Sequence, residues 1–301
     1  MSSRHLVMGL QAAGKTTFAA ALWHLIEAAE VPTVMKKGLH RGDYSYLDAM
    51  AKLWADGWKV KRTDGDQVEP VIINLIDKTS NNEVKLEFSD ISGETFEKAY
   101  ATRDISGSLP HLLEVMDGII VFVTADSSSD DTSLVDLGLA APDVFSESED
   151  DEEDEDGDAS AQARTTDVET PFDPAKVPKQ VQVVDLLQAW EEAPVSRMVD
   201  RLVVIISAWD LVKKKTPGEW LIEKMPLLAQ YLSARFGQQG FRVYGVSAQG
   251  GVLTKDMKAG GKTDRLKLLA KSKASERIVV EGHGAPPHDL THPIRWLSKL
   301  E

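Results

Sequence analysis

Apolar residues along the chain follow two spacings, which together predict strands that alternate with helices. Short apolar runs, and runs in which apolar and polar residues alternate, predict strands at 6–8, 71–76, 84–88, 118–126, 202–206 and 241–246. Apolar residues three and four positions apart predict helices at 18–29, 47–58, 109–116, 181–190 and 219–236, and a closing helix from Pro293. We expect Pro226 to kink or interrupt the helix that contains it, because proline lacks the N–H that a helix interior needs.

This alternation predicts an α/β fold in three layers, with a mostly parallel sheet between two layers of helices. The strands at 71–76 and 84–88 are separated by a turn rich in Ser80, Asn81 and Asn82. They therefore predict a β-hairpin, which adds one antiparallel edge strand to the sheet. Residues 31–41 show neither spacing and are expected to be irregular. We see no second domain, so residues 1–301 are expected to form one domain.

Between residues 127 and 180 the periodicity is lost, and Ser, Asp, Glu, Thr and Pro accumulate. Such a composition offers too little apolar surface to offset the entropy of ordering, so we predict a disordered insertion. A binding role for its acidic tract is the alternative. Ten acidic residues lie between Glu147 and Asp158, and without them the formal net charge of −14 falls to about −4. The rest of the chain is thus mildly acidic, which does not favour nucleic-acid binding.

Composition narrows the possible chemistry. The chain contains no cysteine, which excludes disulfides, zinc–cysteine sites and thiol catalysis.

No apolar run reaches the roughly 18 residues that a membrane-spanning helix needs, so no membrane segment is expected. Met1 to His5 runs straight into the first predicted strand and leaves no room for a signal peptide. We therefore expect a cytoplasmic protein.

The strongest motif lies between the first strand and the first helix. Residues 9–16 read Gly-Leu-Gln-Ala-Ala-Gly-Lys-Thr and fit G-x-x-x-x-G-K-[ST], the phosphate-binding loop of P-loop NTPases. The glycines let successive backbone N–H groups face phosphate oxygens, Lys15 supplies a countercharge to the β- and γ-phosphates, and the Thr16 hydroxyl is a ligand for Mg²⁺. The predicted nucleotide contacts in this segment are Gly9, Gln11, Ala12, Ala13, Gly14, Lys15, Thr16 and Thr17.

Further loops make the chain similar to TRAFAC-class P-loop GTPases of the Ras and Arf-like group. Asp90-Ile91-Ser92-Gly93 follows the hairpin and matches the D-x-x-G motif of that group. The resemblance implies that Asp90 helps to hold Mg²⁺ and that the Gly93 N–H contacts the γ-phosphate. It also implies that Glu94 stands where the group usually has the glutamine that orients the attacking water. Thr63 is the candidate for the threonine that closes over Mg²⁺ and the γ-phosphate. Arg62 beside it is either an internal arginine finger or a solvent-facing side chain.

The base-recognition motifs match in part. Ser207-Ala208-Trp209-Asp210 aligns with [NT]-K-x-D, in which the aspartate accepts hydrogen bonds from guanine. Asp210 is retained, but Ala208 replaces the lysine that packs over the base. Ser247-Ala248-Gln249 aligns with S-A-K, in which the N–H of the alanine meets the guanine oxygen. The resemblance therefore favours GTP as the substrate, bound by Asp210, Ser247 and Ala248.

Within this class, the chain also resembles bacterial double-GTPases, which are encoded beside a second GTPase and proposed for anti-phage conflict systems. The resemblance rests on residues 21–25 (Ala-Leu-Trp-His-Leu), the D-x-S-G-E-x-F run at 90–96, residues 208–210 and residues 289–297. It implies a possible partner, either a second GTPase or an effector protein.

Three classes of function remain open. The first is a GTP-hydrolysing switch that uses Mg²⁺, with Lys15, Thr63, Gly93 and Glu94 as the catalytic set. The second is a nucleotide-binding interaction module with little turnover, which Glu94 and the altered base motif suggest. The third is an ATPase that uses Asp126 as its acid. Two weaker patterns are set aside. Residues 260–263 (Gly-Gly-Lys-Thr) resemble the end of a phosphate loop but lack its first glycine. His288 and His292 are predicted to be polar loop histidines rather than metal ligands.

Overall fold

The computed structural model describes residues 2–40, 43–60, 70–88, 93–105, 109–126, 173–192, 195–254 and 263–301. In these ranges the strands are β1 (Ser2–Met8), β2 (Met35–Lys37), β3 (Val71–Asp77), β4 (Glu83–Phe88), β5 (Gly118–Thr124), β6 (Leu202–Ser207), β7 (Phe241–Ser247) and β8 (Val279–Glu281). The helices are α1 (Lys15–Ala28), α2 (Ser45–Ala55), α3 (Glu94–Thr102), α4 (Leu109–Val115), α5 (Lys179–Glu191), α6 (Pro217–Lys224), α7 (Pro226–Phe236), α8 (Arg265–Leu269) and α9 (His292–Leu297).

The strands described by the structure form one eight-stranded sheet in the order β2-β3-β4-β1-β5-β6-β7-β8. From β4 to β7 all neighbours are parallel, whereas β3 is antiparallel to both β2 and β4. The predicted α/β fold with its antiparallel hairpin is confirmed. The prediction of one antiparallel edge strand was incomplete. Beyond the hairpin, β2 pairs antiparallel with β3 at one edge of the sheet, and β8 pairs antiparallel with β7 at the other. Both strands are three residues long, too short to show an apolar alternation.

Helices cover both faces of the sheet and divide the core into two clusters. On β5, Ile120 and Phe122 face the cluster that includes side chains of α1, α2 and α9. Ile119, Val121 and Val123 face the other cluster, to which α3 to α7 contribute. The alternation along one strand therefore produces the three predicted layers, with the parallel strands buried on both sides.

Most helices lie where their spacing predicts them, and their ends have local causes. The predicted interruption at Pro226 is confirmed, since α6 ends at Lys224 and α7 begins at Pro226. Helix α6 begins earlier than predicted because Thr216 and Glu219 form a capping box. Helix α2 ends at Ala55, so Trp58 lies beyond it.

The predicted insertion falls largely outside the described residues, at 127–172. Its expected end at residue 180 was too late, because Pro174–Lys176 form a 3₁₀ turn and α5 begins at Lys179. In the described ranges, no helix is both long enough and apolar enough to cross a membrane.

Candidate nucleotide-binding site

The phosphate loop connects the C-terminal end of β1 to the first turn of α1. Gly14 caps α1 with φ 95, a left-handed conformation that favours glycine. A Cβ added to Gly14 would lie 2.8 Å from the Cβ and Oγ of Ser207, so the loop packs directly against the end of β6. Ala12 also has positive φ, 63. The local backbone therefore has the tight, left-handed turns that the motif predicts.

Lys15 is buried beneath this loop, with 2% of its surface exposed. Its Nζ donates to the Gly9 carbonyl at 2.5 Å and to the Leu10 carbonyl at 3.1 Å. The ammonium group also lies 6.0 Å from the centroid of the Phe96 ring. A buried ammonium group surrounded by the loop that follows β1 suits an anionic ligand.

The first turn of α1 carries the two threonines of the predicted site. Thr16 and Thr17 follow Lys15 and are both partly exposed. The hydroxyl of Thr16 is an oxygen ligand of the type that Mg²⁺ prefers, and its role in metal binding stays a prediction. The other predicted metal ligands, Thr63 and Asp90, lie outside the described residues, as does Arg62.

Helix α3 begins in contact with the phosphate loop. Gly93, its N-cap, has φ 95. A Cβ added to Gly93 would lie 2.6 Å from the Leu10 carbonyl carbon and 2.7 Å from both Gln11 N and Lys15 Nζ. Glu94, the next residue, is exposed, and its Oε1 accepts a long 3.5 Å bond from Gln11 Nε2. The structure thus brings Gly93 and Glu94 to the loop, as the sequence predicts.

The two segments that are predicted to recognise the base meet at the ends of neighbouring parallel strands. Strands β6 and β7 are in register, with Ser207 opposite Val246. The Ser247 hydroxyl donates to Asp210 Oδ1 and accepts the Gly250 N–H at 3.0 Å. Asp210 is exposed, whereas Ser247 is buried. A buried hydroxyl therefore orients an exposed carboxylate at the same edge of the sheet as the phosphate loop.

Trp209 anchors the segment that carries Asp210. Its indole is buried, and a Cβ added to Gly245 of β7 would lie 2.2 Å from its Cδ2 atom. Its Nε1 donates to Glu281 Oε2 at 2.7 Å, which joins the segment to β8. Ala208, at the position where the resemblance expects lysine, has φ 53.

A second tryptophan supports the other base-recognition segment. Trp54 of α2 is buried and donates its Nε1–H to the Ala248 carbonyl at 3.0 Å. The Arg277 guanidinium lies 4.4 Å from the Trp54 ring centroid and donates to the Trp54 and Ala55 carbonyls at 3.0 Å. These contacts fix the backbone of Ala248 from the side of α2.

The remaining candidates lie apart from these contacts. Asp126 is exposed just after β5, which pairs with β1, so the acid of the ATPase alternative lies at the same edge of the sheet. His288 Nδ1 contacts the Ile278 carbonyl and His292 Nδ1 the Tyr244 hydroxyl. Within the described ranges, no group of three or more potential metal-ligating side chains occurs. Of Gly260 to Thr263, the structure describes Thr263 alone.

Several residues that shape the site were not predicted from the sequence. Glu97 accepts the Gln11 N–H at 2.9 Å, while Trp54 and Glu281 hold the base-recognition segments. None of these residues belongs to a motif. The apolar spacing predicted Trp54 as a core residue, but its bond to Ala248 spans 194 positions and depends on how α2 packs.

The glycine-rich loop between β1 and α1, at the end of a parallel strand, defines a P-loop domain. The chain belongs to the Double-GTPase 1 family, whose model matches residues 6–297. No curated protein matches the chain.

Among solved structures, similar chains include the GTPase-like domain of Ski7 from S. cerevisiae bound to GTP, at 11% identity and TM-score 0.41. The same domain bound to GDP and inorganic phosphate has TM-score 0.39. For both, the match covers 92% of this chain and 52% of the Ski7 chain. The bacterial selenocysteine-specific elongation factor EF-Sec matches at 11% identity and TM-score 0.37, over 82% of this chain and 26% of that chain. The chain thus spans about half the length of the Ski7 chain that it matches.

Proposed function

We propose that the protein is a molecular switch that binds GTP and hydrolyses its β–γ phosphoanhydride bond. The observation that carries this proposal is one arrangement at the edge of the sheet. There, the phosphate loop with buried Lys15 packs, through Gly14, against the strand that leads to Asp210. The candidate phosphate site and the candidate base site are therefore joined by direct contact.

The phosphates would bind to the loop N–H groups and to Lys15. Its ammonium group now donates to the loop carbonyls of Gly9 and Leu10. A phosphate group is ionised, so its oxygens are stronger acceptors than these neutral carbonyls and would draw the ammonium group towards them. Thr16, Thr63 and Asp90 would hold Mg²⁺, which neutralises charge on the β- and γ-phosphates.

The base would be read by Asp210 and Ala248. An ionised carboxylate only accepts hydrogen bonds, and guanine offers adjacent N–H donors where adenine does not. The Ser247 hydroxyl bonds one oxygen of Asp210 and so limits the orientations of the carboxylate. The Ala248 N–H is the proposed donor to the guanine oxygen, on a backbone that Trp54 holds through the carbonyl.

Hydrolysis would depend on Glu94 and on the Gly93 N–H. Glu94 is exposed at the first position of α3, beside the phosphate loop. A carboxylate at this position accepts a proton from water, but its negative charge opposes that of the γ-phosphate. We therefore propose slow turnover, which a partner protein would accelerate by supplying a catalytic group.

A nucleotide-binding interaction module with little turnover is the second candidate, and the charge of Glu94 is the observation that favours it. In either case we propose a partner that is a second GTPase or an effector, in a bacterial anti-phage or conflict system in the cytoplasm. The segments around Thr63 and 90–100 would change their contacts when the γ-phosphate binds and so present the partner surface. The ATPase that uses Asp126 is the third candidate.

Base preference tests the proposal through Asp210→Ala. We expect the wild type to bind GTP more tightly than ATP, and the variant to lose roughly ten- to a hundredfold in GTP affinity, because hydrogen bonds to a charged group are lost. ATP affinity should change little. Titration with fluorescent GTP and ATP analogues at constant Mg²⁺ measures both constants.

Asp126→Ala is the matched control, since it removes an exposed carboxylate from the same edge of the sheet. It should leave the GTP-to-ATP ratio as in the wild type. An Asp210→Ala protein with an unchanged ratio would contradict the base assignment. Preference for ATP, with turnover lost in Asp126→Ala, would establish the ATPase alternative instead.

A further inference from the structure

A carboxylate of α3 lies on the phosphate loop. Glu97 Oε1 accepts the backbone N–H of Gln11 at 2.9 Å. Gln11 belongs to the loop that we assign to the phosphates, and its N–H is a donor that an anion would use. Gly93, assigned to the γ-phosphate, packs against the same nitrogen, since its added Cβ would lie 2.7 Å from Gln11 N. Glu97 therefore holds the terminal-phosphate end of the loop.

Helix α3 is fixed in this position by its packing on α5. Phe96 is fully buried, and its ring centroid lies 6.1 Å from that of Trp190. At the other end of α3, Arg103 forms an ion pair with Asp185. Because these contacts hold the helix backbone, rotation of the Glu97 side chain is the simplest way to release the Gln11 N–H.

We propose that the Glu97 carboxylate competes with the terminal phosphate of the nucleotide for the phosphate loop, and so sets the preference between nucleoside triphosphates and diphosphates. The inference rests on the proposed binding of a nucleotide at this loop. One N–H donates fully to one acceptor, and two anions in contact repel each other. A diphosphate lacks the competing group, so it binds with Glu97 in place. A triphosphate must displace Glu97.

The structure provides space and positive charge for the displaced carboxylate. A cavity of about 690 Å³ lies beside the loop, and Gln11 and Glu97 line it. Lys98, Lys176 and Lys179 line the same cavity, and so does Asp173, whose carboxylate lies 3.6 Å from Lys176 Nζ, so cationic side chains outnumber the resident carboxylate. When the Glu97 side chain rotates into this cavity, its carboxylate loses the hydrogen bond from the Gln11 N–H and comes close to these cationic side chains.

Glu97→Gln tests the competition because the amide keeps the shape and an acceptor oxygen but removes the charge. We expect the ratio of the diphosphate to the triphosphate dissociation constant to rise about tenfold, since a neutral acceptor binds the N–H less strongly than a carboxylate. Calorimetry with the nucleoside diphosphate and a non-hydrolysable triphosphate, at constant Mg²⁺, measures the ratio. Glu114→Gln removes the same charge from an exposed position on α4 and should leave the ratio unchanged.

An unchanged ratio in Glu97→Gln, or an equal shift of both constants, would overturn the proposal and leave Glu97 as a support of the loop. The titrations use guanine and adenine nucleotides in parallel. Base preference then tests the GTP assignment, whereas the phosphate ratio tests the role of Glu97. If the protein prefers ATP but its diphosphate-to-triphosphate ratio rises in Glu97→Gln, the GTP assignment is contradicted and the proposed role of Glu97 is supported.

A second measurement needs no nucleotide. In the nucleotide-free protein, the Gln11 amide should exchange its hydrogen faster in Glu97→Ala than in the wild type, because its acceptor is gone. Exchange at the amides of β5 serves as the internal control for global unfolding. Equal exchange at Gln11 in both proteins would show that the carboxylate does not hold the loop, and would overturn the proposal.

Discussion

At the residue scale, the site depends on close approaches that the motif glycines permit. Gly14 combines φ 95 with a position where an added Cβ would lie 2.8 Å from Ser207. The sequence predicts the role of this glycine, because the phosphate-loop motif requires a glycine at this position for the tight turn. It does not predict Glu97, whose bond to Gln11 joins residues 86 positions apart. Such a contact depends on how α3 docks and leaves no local pattern.

Gly14→Ala tests the close approach between the phosphate loop and β6. We expect a loss of about 1–3 kcal/mol in the free energy of unfolding, because an L-residue is strained at this φ and its Cβ displaces Ser207. Urea unfolding at neutral pH measures the change. Gly218→Ala is the matched control, since a Cβ there meets nothing within 4 Å. The explanation fails if both variants are equally stable.

At the element scale, β1 connects the phosphate loop at one end to the closing helix α9 at the other. His5 of β1 is fully buried, and its Nε2 lies 2.7 Å from Ser298 Oγ, just beyond α9. Ser298 donates its own proton to the Ile294 carbonyl at 2.8 Å, so His5 must be the donor. Burial lowers the pKa of His5 to about 4, and the nearby Asp117 charge opposes this only in part.

This lowered pKa predicts how stability changes with pH. His5 stays neutral in the folded protein, while in the unfolded chain its pKa is near 6.5. The unfolded chain therefore binds the proton first, and stability present above pH 6.5 is lost as the pH falls towards 4. We expect His5 to account for about 3 kcal/mol of this loss between pH 7 and pH 4.

Chemical denaturation at several pH values measures this contribution. His5→Gln retains a donor for Ser298 but does not titrate, so its stability should fall less steeply than that of the wild type. His111→Gln replaces an exposed histidine of α4 and should follow the wild type. Parallel pH curves for His5→Gln and the wild type would contradict the assignment.

At the scale of the whole molecule, the sequence predicted the fold well because long apolar runs specify buried parallel strands. The apolar runs in β5 and β6 and the helical spacing of apolar residues in α1 left few alternative assignments of secondary structure. The short strands β2 and β8 could not be predicted, because three residues pair through the backbone and show no periodicity. The order of the strands then brought Asp210 to Ser247, as the motifs implied. The supports from Trp54 and Glu281 depend on packing between elements distant in sequence.

Mg²⁺-dependent GTP hydrolysis by the wild type and Lys15→Ala tests the central claim most directly. Lys15 is the buried cation of the phosphate loop, and Lys52→Ala removes the same charge from an exposed position on α2. We predict that phosphate release from GTP is slow but measurable in the wild type and in Lys52→Ala, requires Mg²⁺, and is lost with GTP binding in Lys15→Ala. Hydrolysis that persists in Lys15→Ala at the wild-type rate, or a wild type that binds no GTP, would contradict the account.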